Sequence, residues 1–148
     1  MTTTAPTADG RVVALAHYAA RALLEGVLTR HGVTFQQNVA LRAVVAAGGA
    51  IGRDALVRDV TGSLKTGESV VRGVIKELTD GKLLEEDPSE ASRIRLTDAG
   101  RRLYGTTTTE TAAISARLYA GIPAEDLAVA GRVLTLVTER ANAELAGV

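Results

Sequence analysis

Within Lys65–Leu84, KTGESVVRGVIKELTDGKLL, apolar and polar residues separate onto two sides of one helix. Val71, Val74, Ile75 and Leu78 recur at the three- and four-residue spacing of a buried helical stripe, so the segment must fold against a core. Ser69, Arg72, Gly73 and Lys76 fall on the other side. They offer hydroxyl, guanidinium and ammonium donors around one residue without a side chain, the chemistry that suits a phosphate-lined groove. The spacing predicts a recognition helix over 66–80, ended by Gly81 in the left-handed conformation. A short strand over Lys82–Glu86, a hairpin tip in Asp87–Ser92 turned by Pro88, and a returning strand over Arg93–Leu96 follow. Before it, Arg53–Val60 reads as a helix with Ala55, Leu56 and Val60 inward, and Thr61, Gly62 and Ser63 read as the connecting loop. This is the order of a winged helix-turn-helix with a small β-hairpin wing.

The flanks are helical, which makes the chain predominantly α. Arg11–Arg30 repeats Val12, Leu15, Ala16, Ala19, Leu23, Val27 and Leu28 at helical spacing. A second helix starts near Thr34 and ends at Gly48-Gly49. Asp98–Ala120 predicts a long helix with a bend or break at the threonine run Thr106–Thr109, since threonine is a poor helix former. Pro123 opens a last helix whose stripe is Leu127, Ala130, Val133, Leu134, Val137, Ala141 and Leu145, with Glu125 and Asp126 beside its positive end. The expected organisation is a disordered start at 1–9, a helical dimerisation region made of 10–33 and 106–148, and a winged DNA-binding region over 34–105.

Composition narrows the function by exclusion. The chain has 148 residues and no cysteine, so a disulfide framework and a thiolate nucleophile are both ruled out. Apolar residues make up 46% but aromatics only 3%, so the core must be built from Ala, Val, Leu and Ile. No Gly-x-Ser-x-Gly or P-loop pattern occurs, and neither His17 nor His31 has a second ligand at metal spacing. The reading is therefore no enzyme, no cofactor and no metal. No uninterrupted apolar run reaches the roughly 18 residues of a membrane span, and the threonine-rich start lacks a secretion pattern, which predicts a cytoplasmic protein with no membrane partner. Seventeen Lys and Arg balance seventeen Asp and Glu, so placement of charge, rather than its sum, has to carry any nucleic-acid argument.

Gln37, Leu41, Ala55-Leu56, Ser69-Val70-x-Arg72, Leu78, Gly81, Leu83 and Leu96-Thr97-x-Ala99-Gly100-Arg101 stand in an order and spacing that resembles the MarR family of bacterial transcriptional regulators. The resemblance covers 33–103 by motif and the flanking helices by order and length. It implies a homodimer on double-stranded DNA, in which each protomer presents its recognition helix to half of a near-palindromic operator, most relatives being repressors. The DNA-binding residues would be Lys65, Thr66, Ser69, Arg72, Gly73, Lys76, Arg93 and Arg95. A small aromatic or anionic effector would sit near His17, Tyr18 and Arg21. The wing departs from the family: Pro88-Ser89-Glu90 stands where relatives carry Asp-Arg-Arg or Asp-x-Arg, leaving Arg93 as the nearest substitute and Glu90 to repel phosphate.

Each sharp reading has a plainer one beside it. Arg72 and Lys76 either contact DNA or solvate a helix face, with Arg72 paired to Glu68. Gly73 admits either close approach of DNA or tight packing on the preceding helix. For the chain as a whole, the alternative is a winged protein-interaction module with little or no DNA binding.

Overall fold

The structure, a computed structural model, describes residues 4–148. Met1–Thr3 of the segment expected to be disordered lie outside them. Asp9 accepts the Val12 N–H at 2.9 Å and caps the first helix. In chain order the elements are α1 (Gly10–Arg30), α2 (Phe35–Ala46), β1 (Ala50–Gly52), α3 (Arg53–Leu64), α4 (Glu68–Asp80), β2 (Leu84–Asp87), β3 (Glu90–Leu96), α5 (Asp98–Tyr119) and α6 (Ala124–Ala146). The three strands form one antiparallel sheet in the order β1-β3-β2. This is a winged helix-turn-helix in a predominantly helical chain.

One core holds the winged region together. Val39, Ala40, Leu41 and Val44 of α2 meet Leu56, Val57 and Val60 of α3, the α4 stripe Val71, Val74, Ile75 and Leu78, and Leu84, Ile94 and Leu96 of the wing. Side chains buried to this degree each contribute about 1.5–3 kcal/mol relative to exposure. Polar ties reinforce the packing. Thr34 and Gln37 form a capping box at the start of α2, and Gln37 Nε2 also donates to Glu77 of α4 at 2.7 Å.

Four local expectations are corrected. Helix α3 runs on through Thr61, Gly62 and Ser63 to Leu64, because one more turn brings Leu64 onto the core; the turn is instead built at Lys65, which is left-handed. Gly81 is not left-handed: its φ is −77°, and Lys82 takes φ 59°. Lys82 N–H donates to Thr79 O at 3.0 Å and Leu83 N–H to Leu78 O at 2.9 Å, so the paired cap closes one residue later and returns Leu83 to the core. The wing strands are Leu84–Asp87 and Glu90–Leu96, rather than 82–86 and 93–96, with only Pro88 and Ser89 at the tip; Asp87 accepts from Ser89 N–H at 2.9 Å and Ser89 Oγ at 2.7 Å. Helix α5 is continuous through its threonines. Thr106, Thr107 and Thr109 turn their hydroxyls onto the Arg102, Tyr104 and Gly105 carbonyls, which satisfies them within the helix. Strand β1 has no sequence signal: it pairs Ala50, Ile51 and Gly52 with Arg95, Ile94 and Arg93.

The Leu96-Thr97-x-Ala99-Gly100 junction ties the wing to α5. Thr97 N–H donates to Leu83 O at 3.1 Å, Thr97 Oγ1 donates to Lys82 O at 2.7 Å, and the same oxygen accepts from Gly100 N–H at 2.9 Å. Gly100 is required because a Cβ there would run into the Leu83 carbonyl. At the far end of this unit, Glu110 of α5 accepts from Arg30 at 2.6 Å and lies 2.8 Å from His31 Nε2 at the end of α1. Those hydrogen bonds, the His31 one first, hold the Glu110 carboxyl below its ordinary range.

The chain divides into two compact units, one ending at Ala113 and one comprising Ile114–Val148. The second contains the end of α5, a turn at left-handed Gly121, and α6, which has no buried residue. Helix α1 is, by length and composition, apolar enough to cross a membrane, with mean hydropathy 1.3. Arg21 and Glu25 sit in its middle as an ion pair at 3.2 Å, and a charged side chain at a bilayer centre costs about 2.5–3.5 kcal/mol.

Gly100→Ala should destabilise the protein by about 1–3 kcal/mol, since the Leu83 backbone has to move. Gly105→Ala, where a Cβ meets nothing within 4 Å, should be neutral or stabilising. Urea unfolding checks both. Glu110 supplies stability that is complete above the ordinary glutamate range and is lost as pH falls through its lower folded pKa. Urea midpoints of the parent and Glu110→Gln should therefore differ at neutral pH and converge in acid.

Candidate nucleic-acid interface

Burial of one α4 face determines what the other presents. With Val71, Val74, Ile75 and Leu78 in the core, Ser69, Val70, Arg72, Gly73 and Lys76 are exposed. Gly73 faces open space, with nothing within 4 Å of where its Cβ would stand, which removes the tight-packing explanation. Lys65 closes α3 through its N–H to Thr61 O at 2.9 Å and is itself exposed, while Thr66 is half-buried in the turn. Chain reversal between α3 and α4 thus places Lys65 and Thr66 immediately ahead of the exposed α4 face.

Both α4 cations are already paired. Arg72 Nε and Nη2 donate to Glu68 Oε1 at 3.0 and 2.7 Å, and Nη2 lies 3.5 Å from Asp54 Oδ1 on α3. The Glu68 hydrogen bond, opposed by desolvation and aided by the Glu68 charge and by Asp54, raises the guanidinium pKa. Lys76 Nζ donates to Asp80 at 2.6 Å, and that hydrogen bond and charge raise the ammonium pKa. Along the helix the row Glu68, Arg72, Lys76 and Asp80 sets an acid at each end of two cations. A phosphate that approaches Arg72 or Lys76 meets a carboxylate already hydrogen-bonded to that cation. The Glu68–Arg72 pair was legible from its four-residue spacing, whereas Asp54 comes from another helix and had no signal in the sequence.

In the wing, Arg93 and Arg95 alternate with buried Ile94 and so share the outer face of β3. Both are half-buried at its base. Arg95 Nε donates to Glu85 at 2.9 Å across the β2–β3 pair; Arg93 stands opposite Gly52 and makes no ion pair among the described residues. The tip itself is acidic, with Asp87 held ionised by Ser89 and Glu90 beside Ser92. Arg53 ties the start of α3 to the wing through Glu86 at 3.3 Å.

The residues expected to meet an effector lie on α1. His17 and Tyr18 are exposed with ring centroids 5.9 Å apart. Arg21 is occupied: its guanidinium lies 4.0 Å from the centroid of the Phe35 ring and pairs with Glu25. A polar hollow of about 420 Å³ opens elsewhere, at the wing base beside Gly49, Arg95 and Arg101.

These elements define a winged helix-turn-helix protein with long terminal helices. The chain has the fold of MarR-family transcriptional regulators. It resembles CouR from Rhodococcus jostii, solved with p-coumaroyl-CoA, at TM-score 0.74 and 20% identity over 87% of this chain and 90% of that one. It resembles MepR from S. aureus, solved with DNA, at TM-score 0.71 and 17% identity over 88% and 94%. The PcaV transcriptional regulator from Streptomyces coelicolor matches at TM-score 0.64 and 24% identity over 93% and 99%. No family sequence model and no curated protein matches the chain.

Gly73→Ala separates folding from binding. An exposed mid-helix glycine with an unobstructed Cβ position should gain about 0.5–1 kcal/mol of stability on becoming alanine. If DNA approaches the helix at this point, the same variant should bind it more weakly. Thermal unfolding and a DNA titration of one preparation read the two effects.

Proposed function

We propose that the chain is a homodimeric DNA-binding transcriptional regulator, a repressor acting in the cytoplasm, which reads a near-palindromic operator with α4. One observation carries this reading: α4 buries its apolar stripe and leaves Ser69, Arg72, Gly73 and Lys76 exposed around an unobstructed glycine. The likeness to a regulator solved on DNA supports it. Lys65 and Thr66 at the turn add phosphate contacts, and Arg93 and Arg95 act from the wing base because the tip is acidic. Dimerisation is supported by the apolar residues that α6 leaves exposed, Val133, Leu134 and Val137 among them, and by Leu15, Tyr18 and Leu23 on α1. Dimers of this kind place two reading helices on successive turns of the duplex. A small aromatic or anionic effector would meet His17 and Tyr18, with Arg21 available once it leaves Glu25.

A protein-interaction module without DNA affinity is favoured by one observation, the pairing of Arg72 and Lys76 with carboxylates on their own helix. A titration of duplex fragments selected from genomic DNA decides between the two. Under the regulator reading, affinity falls steeply with salt, by a slope of about 0.9 per phosphate contacted. Leu134→Glu should give monomers by light scattering and lose that binding. Absence of binding at low salt would leave the interaction module.

A further inference from the structure

Arg72 is held differently from the other α4 cation. A guanidinium presents five N–H donors in one rigid plane. Its Nε edge is taken by Glu68 Oε1, at 3.0 and 2.7 Å, and Asp54 Oδ1 approaches Nη2 from α3 at 3.5 Å. Glu68 thus holds the Nε/Nη2 edge, Asp54 lies near Nη2 from a second helix, and Nη1 has no partner among the described residues. Lys76, by contrast, meets Asp80 through a single rotatable ammonium.

We infer that Glu68 is a positioning residue for base reading: it orients the Arg72 guanidinium so that its free edge donates to a guanine in the major groove, and it keeps Arg72 from settling on a phosphate. The inference rests on the DNA-binding reading above. Three physical points carry it. The pair is exposed on both sides, with side chains 46% and 62% accessible, so it adds little to folding and its geometry needs another explanation. The Glu68 charge repels phosphates while leaving the outward N–H donors intact, which shifts Arg72 from sequence-blind attraction to hydrogen-bond readout. Gly73, the next residue, carries no side chain to hold the duplex away. Arginine donating to guanine is the commonest specific base contact, and the Nη1 N–H groups can reach O6 or N7 while Nε and Nη2 stay with Glu68.

The test uses full-length protein and a selected operator scanned base pair by base pair, with a random duplex as reference. Parent, Glu68→Gln, Glu68→Ala and Arg72→Ala are compared, together with Glu68→Ala in the Arg72→Ala background, and circular dichroism confirms that all remain helical. Arg72→Ala should locate the guanine it reads, as the position where discrimination disappears. Glu68→Ala should lose about tenfold discrimination at that same position and bind the random duplex several-fold more tightly. Glu68→Gln removes the charge but keeps an acceptor, so it should gain affinity for the random duplex and retain more discrimination than the alanine variant. Without Arg72, the Glu68 change should alter nothing at that position. Undiminished discrimination in Glu68→Ala, or equal losses in the two Glu68 variants, would overturn the positioning role while leaving DNA binding in place. A parent that binds no duplex at low salt would instead remove the DNA-binding reading, and this inference with it.

Discussion

The apolar seam of α4 is the constraint on which the winged region depends. Val71, Val74, Ile75 and Leu78 are the common surface on which α2, α3 and the wing strands meet. Because that seam is buried, the orientation of the opposite face is not adjustable. Ser69, Arg72, Gly73 and Lys76 are presented by the same burial energy that stabilises the fold. The cap at Lys82 and the Thr97 junction carry this rigidity onward, since the residues that end α4 also receive the hydrogen bonds that begin α5.

Charge on the exposed face is arranged with more restraint than the neutral total suggests. Glu68 and Asp80 each occupy a cation four residues away, and Asp54 reinforces one of them from α3. Exposed pairs of this kind contribute only about 0.2–1 kcal/mol to folding, so their larger consequence is electrostatic: they lower the attraction of the helix for any polyanion that does not offer better hydrogen bonds. The wing follows the same rule, with Arg95 compensated by Glu85 and an acidic tip.

Helix α6 differs in kind from the winged region. Its apolar residues recur at helical spacing, yet none is buried. A helix with that pattern gains its stability from packing rather than from propensity. Its exposed Val133, Leu134 and Val137 therefore define the surface most in need of a partner.

The sequence by itself determined the elements whose signal is local. The α4 stripe, the start of α2 near Thr34, the proline at the start of α6 and the hairpin character of the wing are all written within one or two turns of chain. The Glu68–Arg72 pair was written there too, in its four-residue spacing. Tertiary structure decided everything that depends on residues distant in sequence. Helix α3 passes through Thr61-Gly62-Ser63 because Leu64 reaches a core formed by other elements, and β1 exists only because β3 lies beside it. Lys82 accepts a left-handed conformation so that Leu83 can return to that core. Gly100 is obligatory because the Leu83 carbonyl crosses it, a contact between residues seventeen apart. Arg95 is paired across the sheet with Glu85, and Arg72 is reached by Asp54 from another helix, for the same reason: local spacing records which face a side chain occupies, while its partner across elements is set only when the chain packs.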